Sequence, residues 1–204
     1  MRRLVVAISG ATGAIYGVRL LEVLQMQPEL EVHLVMSPWA EKTIAVETVY
    51  SPSQAKKMAA YYHDYRNLGA PIASGSFGVD GMVVAPCSMK TLAVIAHGYA
   101  DNLIARTADV MLKERRQLIL VPRETPLNEI HLKNMLKLTR ANAVMAPPMP
   151  AYYSLPANLN DIVDHHVSRI LDLLHIQNQL TRRWGSVFIA SASKPSEERN
   201  KLGS

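Results

Sequence analysis

Four short runs carry residue types suited to ligand chemistry, and each directly follows an apolar stretch. Ser9-Gly10-Ala11-Thr12-Gly13-Ala14 follows Leu4-Val5-Val6-Ala7-Ile8. Its glycines permit a tight turn and close backbone approach, and a helix starting at Ala14 would offer free N–H groups to a phosphate. The run is shorter than the dinucleotide fingerprint Gly-x-Gly-x-x-Gly and serves equally well as a plain strand-to-helix turn. Ser37-Pro38 follows a second apolar stretch and has the form of an N-cap with proline at the first helical position. A serine capping there also faces a ligand crevice. Pro86-Cys87-Ser88-Met89-Lys90-Thr91 sets Ser88, Lys90 and Thr91, two hydroxyls and an ammonium, at a helix start. That set suits phosphate better than it suits capping alone. In Pro122-Arg123-Glu124-Thr125-Pro126 a charged pair sits between two prolines, where a guanidinium can hold an anion and a carboxylate can move protons.

Further cations lie on helical segments. Arg106 and Lys113, seven residues apart, fall nearly on one helix face. Lys113, Arg115 and Arg116 also fit a helix C-terminus, which leaves Arg106 unexplained. Arg169 lies beside a stripe of Val163, Val167, Ile170 and Leu174, so its head is expected to be drawn inward. Met149-Pro150-Ala151-Tyr152-Tyr153 brings aromatic rings into a proline-constrained loop. His165-His166 lack metal-ligand spacing, so no metal site is expected. Cys87 reads as a small buried thiol.

The elements that must position these residues alternate along the chain. Apolar runs at 4–8, 32–36, 82–85, 118–121 and 143–146 read as strands. Helical spacing covers 14–26, a segment from Trp39 to before Tyr50, 89–97, 102–114, 127–138 and 159–176. Residues 51–80 read as a helix followed by a long loop. Alternation of this kind predicts an α/β fold with a parallel, Rossmann- or flavodoxin-like sheet covered on both faces. In such a sheet ligands bind beyond the carboxyl ends of the strands, where all four runs fall. A single domain is expected over 1–185, with a polar, disordered tail over 186–204.

The 204 residues are 49% hydrophobic, enough for a filled core. No apolar run approaches the roughly 20 residues that span a bilayer, so no membrane role is expected. One cysteine excludes an internal disulfide framework and points to the cytoplasm. The net charge of +5 is scattered, with no basic arm interleaved with aromatics, so nucleic acid is not expected as a partner. A modest positive balance suits an anionic small molecule.

Together the runs resemble the flavin prenyltransferases, the UbiX-like proteins formerly described as phenylacrylic or aromatic acid decarboxylases. The residues that carry the resemblance are Ile8-Ser9-Gly10-Ala11-Thr12-Gly13-Ala14-Ile15-Tyr16-Gly17, Val46-Glu47-Thr48, Ala73-Ser74-Gly75-Ser76, Pro86 to Thr91, Ala108 to Arg116, Pro122 to Pro126 and Pro147-Pro148. The resemblance implies a homododecamer with FMN near subunit interfaces, a dimethylallyl phosphate donor and a UbiD-type decarboxylase that uses the prenylated FMN. It implies an FMN site of Gly10, Ala11, Thr12, Ser37, Ser88, Met89, Lys90, Thr91 and Arg123. The donor phosphate would meet Lys113, Tyr153 and Arg169, with Arg106 close by. Glu47, Lys113, Glu124 and Thr12 would take part in the chemistry. Thr12 stands where many relatives have serine, and its extra methyl is expected to crowd the flavin edge and slow the reaction.

Two other functions fit the same residues. One is an FMN-binding subunit without turnover, and the other is a flavin-dependent decarboxylase of aromatic acids. A related cysteine-decarboxylase chemistry needs a histidine soon after the second strand, and Ala40-Glu41-Lys42-Thr43-Ile44 has none.

Overall fold

The computed structural model describes residues 1–185, and the tail expected from residue 186 onward lies outside them. The described residues divide into two compact units between Pro148 and Met149.

The first unit is built on β1 (Arg2–Ile8), β2 (Leu30–Met36), β3 (Tyr61–His63), β4 (Gly81–Cys87), β5 (Gln117–Pro122) and β6 (Ala143–Met145). Every neighbouring pair is parallel, in the order β3-β2-β1-β4-β5-β6. The helices are α1 (Ala14–Leu24), α2 (Pro38–Glu47), α3 (Pro52–Lys57), α4 (Met89–Ala96), α5 (Leu103–Lys113) and α6 (Glu129–Arg140). Strand order reverses between β1 and β4, so right-handed crossovers put helices on opposite faces on either side of that point.

The apolar runs form strands because both of their faces are buried. Leu4 to Ile8 and Met82 to Ala85 are almost fully shielded from solvent. One face of the sheet, with Val5, Met82, Val84, Leu118 and Leu120, packs with Leu92, Leu103, Ala108 and Met111 of α4 and α5. Each such Val, Leu or Met side chain contributes about 1.5–3 kcal/mol relative to exposure. On the α1 side, a Cβ at Gly17 would lie 2.2 Å from the Ala85 carbonyl oxygen, so glycine alone lets α1 lie this close to β4.

Two expectations are corrected. Residues 51–80 are more regular than the expected helix and loop: they add the edge strand β3 and two short 3-10 turns, Pro71–Ala73 and Gly75–Phe77. The helix expected from Leu127 begins at Glu129, because the Asn128 side chain caps it by accepting from the His131 N–H at 2.9 Å.

The second unit begins at Met149. It contains a 3-10 turn, Tyr152–Ser154, and α7 (Leu159–Leu173). Asn158 caps α7 by accepting from the Asp161 N–H. The expected stripe of Val163, Val167, Ile170 and Leu174 is buried.

Candidate active site

The four chemistry-bearing runs join into one rim at the carboxyl ends of β2, β1, β4 and β5. The Ser37 N–H donates to the Ile8 carbonyl at 3.0 Å. The buried Ser9 hydroxyl donates to the Pro86 carbonyl at 2.8 Å and accepts from the Ser88 N–H at 2.7 Å. The Arg123 N–H donates to the Cys87 carbonyl at 3.3 Å. Ser9 therefore ties the β1 and β4 loops together at the point where strand order reverses, and ligands of such sheets bind there.

Gly13 supplies the turn into α1 with φ of 96°, a left-handed conformation that favours glycine. Its N–H and that of Ala14 donate to Glu47 Oε2, at 2.7 and 3.1 Å. Glu47 is the last residue of α2, so its carboxylate both neutralises the positive end of α1 and fixes the Gly10–Gly13 loop against the β2 side of the rim. Thr12, at the tip of this loop, is exposed, and Ala11 is half-buried.

Ser37 and Ser88 are both N-caps, as their positions predict. Ser37 Oγ accepts from the Ala40 N–H at 3.1 Å. Ser88 Oγ accepts from the Thr91 N–H at 3.2 Å and donates to Thr91 Oγ1 at 3.1 Å. Met89 is half-buried and Lys90 exposed on the first turn of α4. Beyond β5, Arg123 and Glu124 are exposed. Burial raises the Tyr16 phenol above its ordinary pKa, and the Arg123 charge acts in the opposite direction. Tyr16 is a rim residue that the runs alone did not single out. Burial pushes the Cys87 thiol up to about 12, so it is inert at neutral pH.

Lys113 falls at the other edge of the sheet. Lys113 ends α5 four residues before β5 begins, and its ammonium lies 2.7 Å from Glu114 Oε1. Arg106 donates to the Ala73 carbonyl at 3.1 Å and to Asp109 at 2.9 Å. A crossover helix runs antiparallel to the strand it feeds, so the C-terminal end of α5 must lie near the start of β5. A six-residue strand separates that point from Arg123, roughly 20 Å away. Seven-residue spacing identified a shared helix face but not the edge of the sheet to which it belongs.

The second unit holds a cavity of about 380 Å³ whose lining includes Tyr153, His165, Arg169, Asp172, Arg182 and Arg183. Arg169 is exposed, contrary to the expected inward head, because Asp172 one turn later accepts its guanidinium at 2.7 Å. Asp172 also accepts from both Arg183 terminal nitrogens, at 2.8 and 3.0 Å. The Arg183 hydrogen bonds lead in holding its carboxyl below the usual range. The Tyr153 hydroxyl lies 2.9 Å from His165 Nε2, and its ring meets Trp184 edge-on with centroids 4.7 Å apart. Arg169 and Asp172 stand three residues apart, a helix-pair spacing that could have revealed the ion pair in the sequence. His165 gave no such signal. Among the described residues no cluster of histidine, cysteine and acidic groups could hold a metal, and no helix is long and apolar enough to cross a membrane.

Residues 1–179 match the family described as Flavoprotein. The flavin prenyltransferase LpdB of Lactiplantibacillus plantarum is 53% identical over 184 residues, covering 90% of this chain and 98% of that protein. The crystal structure of AnUbiX (PadA1) in complex with FMN and dimethylallyl pyrophosphate is 55% identical, with a TM-score of 0.88, covering 90% of this chain and 97% of that one. A dodecameric FMN-dependent UbiX-like decarboxylase from Escherichia coli O157:H7 is 53% identical, also with a TM-score of 0.88, covering 89% and 98%. With a rim at the switch point and this likeness over nearly its full described length, the chain belongs to the flavoprotein family and, within it, to the UbiX-like flavin prenyltransferases.

Proposed function

We propose that this flavin prenyltransferase joins the dimethylallyl group of dimethylallyl phosphate to reduced FMN, at N5 and then at C6. The observation that carries the reading is the continuous rim tied together by Ser9, which gathers Thr12, Ser37, Ser88, Lys90, Thr91 and Arg123 at one edge of the sheet. That donor set fits FMN. The α4 N-terminus and its hydroxyls suit the phosphate, and Arg123 suits the electron-rich edge of the ring. Gly10 and Ala11 give close backbone approach, and Met89 gives an adaptable apolar contact. When bound, reduced FMN supplies the nucleophilic atoms that receive the five-carbon unit.

The chain's own residues activate the donor. Tyr153 and Arg169 hold its phosphate, and with Lys113 they stabilise the charge that develops as the carbon–oxygen bond breaks. Glu124, beside Arg123 on the rim, accepts the proton released on ring closure, and Glu47 holds the loop that carries Thr12. Lys113 stands at the far edge of its own sheet, so it would reach a rim from another copy, with Arg106 on the same helix. That placement supports a site completed between subunits, and the dodecameric relative supports a twelve-membered assembly. The product serves a UbiD-type decarboxylase, and the protein works in the cytoplasm.

Phosphorus NMR of an anaerobic reaction tests the reading. Free phosphate should appear from dimethylallyl phosphate only when reduced FMN is present, one per flavin consumed. Donor hydrolysis at the same rate without flavin, or no release at all, would overturn it.

A further inference from the structure

His165 occupies a defined place in the cavity of the second unit, and no step above uses it. It is 8% exposed, and its Nε2 lies 2.9 Å from the Tyr153 hydroxyl, with the two rings edge to face. The charged and titratable groups around it are Tyr153 on the 3-10 turn, His166 and Arg169 on its own helix, and Asp172, Arg182 and Arg183 on the cavity wall. Burial, and after it the Arg169 charge, hold the His165 imidazole below its ordinary pKa, so it is neutral at pH 7.

A neutral imidazole can face a phenol in two ways. If Nε2 lacks a proton, it accepts from the Tyr153 O–H, and that hydroxyl has no proton left for an anion. If Nε2 carries a proton, it donates to the phenol oxygen, and the Tyr153 O–H turns toward the cavity. Protonation to imidazolium forces the second arrangement, because both ring nitrogens then donate. It also places a positive charge beside the space that Arg169 borders. An entering dianion therefore stabilises the imidazolium and offsets the effect of Arg169.

We propose that His165 is a positioning residue that takes up a proton from solvent when a tetrahedral dianion enters this cavity, turning the Tyr153 hydroxyl into a donor to that anion. The inference rests on the reading that Tyr153 and Arg169 hold the donor phosphate. It adds that donor binding and the later release of phosphate are linked to a proton on His165. Neutral imidazole gains one proton on binding and returns it on release, so charge balances over a turnover.

Sulfate is the probe, because it stays a dianion across the range in which imidazole titrates. Binding to the FMN-loaded full-length protein is measured by calorimetry from pH 5.5 to 8, in two buffers of different ionisation heat. Sulfate affinity is expected to fall about tenfold across that range, with net proton uptake on binding. In His165→Gln the amide still donates to Tyr153 but cannot titrate. Its affinity should be nearly flat with pH and close to the wild-type value at pH 8, with no uptake assigned to binding. Wild-type binding without pH dependence, or dependence retained in His165→Gln, would overturn the role of His165 while leaving the phosphate site in place. Absence of sulfate binding at every pH would overturn both.

Discussion

The Glu47 carboxylate closes the N-terminus of α1: one oxygen accepts from the amides of both Gly13 and Ala14, at 2.7 and 3.1 Å. An anion approaching the first loop from that end would compete with a side chain already in place. In the proposed reading the FMN phosphate meets α4 and Ser88, while Glu47 steadies the loop. Glu47→Gln keeps an acceptor but removes the charge, and should lower stability by roughly 1 kcal/mol. Urea unfolding measures this, and an unchanged midpoint would show that the carboxylate does not hold the loop.

Ser88 caps α4 and, in the proposed reading, borders FMN. Ser88→Ala should lower stability by about 1 kcal/mol and weaken FMN binding. Flavin retention on gel filtration and thermal melting, measured on the same sample, separate the two effects. Loss of stability with full flavin retention would reduce Ser88 to a cap.

Arg169 gives the opposite pattern. Its guanidinium is exposed and paired with Asp172, so removing it uncovers no buried charge and leaves the rim intact. Arg169→Ala should keep FMN affinity and lower prenyl transfer at least about tenfold, the loss expected for one charge-assisted phosphate contact. Arg169→Lys should recover little, because a point charge does not reproduce the planar fork. Equal loss of flavin binding in Arg169→Ala and Ser88→Ala would withdraw the donor-site assignment.

Much of this was legible in the sequence, for physical reasons. Strands buried on both faces show as unbroken apolar runs, and the residue after each run had to be a turn or a cap, so Ser37, Ser88 and Arg123 were readable as rim residues. The edge strand β3 was not. Tyr61-Tyr62-His63 has no apolar run of its own, and the contacts beside it are long-range: His63 Nε2 lies 2.9 Å from Nδ1 of the buried His33, whose ring stacks on Tyr61. The exposure of Arg169 was missed because a neighbouring apolar stripe says where the backbone faces, while the ion partner three residues on decides where the head goes. The resemblance named Lys113 as a donor ligand, but only the direction of α5 puts it at the opposite ends of the strands from Arg123.

That direction gives a mixing test. Arg123→Ala and Lys113→Ala alter opposite edges of one sheet, and each should be inactive alone. Dissociated and reassembled together in equal amounts, they should recover roughly a quarter of wild-type activity, because random assortment pairs an intact rim with an intact lysine. No recovery from fully mixed assemblies would mean that each site draws both residues from one chain.

Burial and its neighbour His165 lower the His166 imidazole to about 4, against an ordinary value of 6.5. The unfolded chain binds that proton more readily than the folded one, so this contribution to stability is full above pH 6.5 and is lost as pH falls toward 4. By pH 5 the loss is on the order of 2 kcal/mol. Burial lowers His33 and His63 in the same direction. The melting temperature should therefore drop from pH 7 to pH 5, and His166→Gln should drop less. A variant as acid-sensitive as wild type would place the effect elsewhere.

The central claim is that this chain joins a prenyl unit to flavin. Purified protein is incubated anaerobically with reduced FMN and dimethylallyl phosphate, denatured, and the released flavin is weighed by mass spectrometry. The account predicts a flavin heavier by one five-carbon prenyl unit, formed only when donor and reductant are both present. Unchanged FMN released from protein that binds both ligands would contradict it and leave a flavin-binding subunit without turnover.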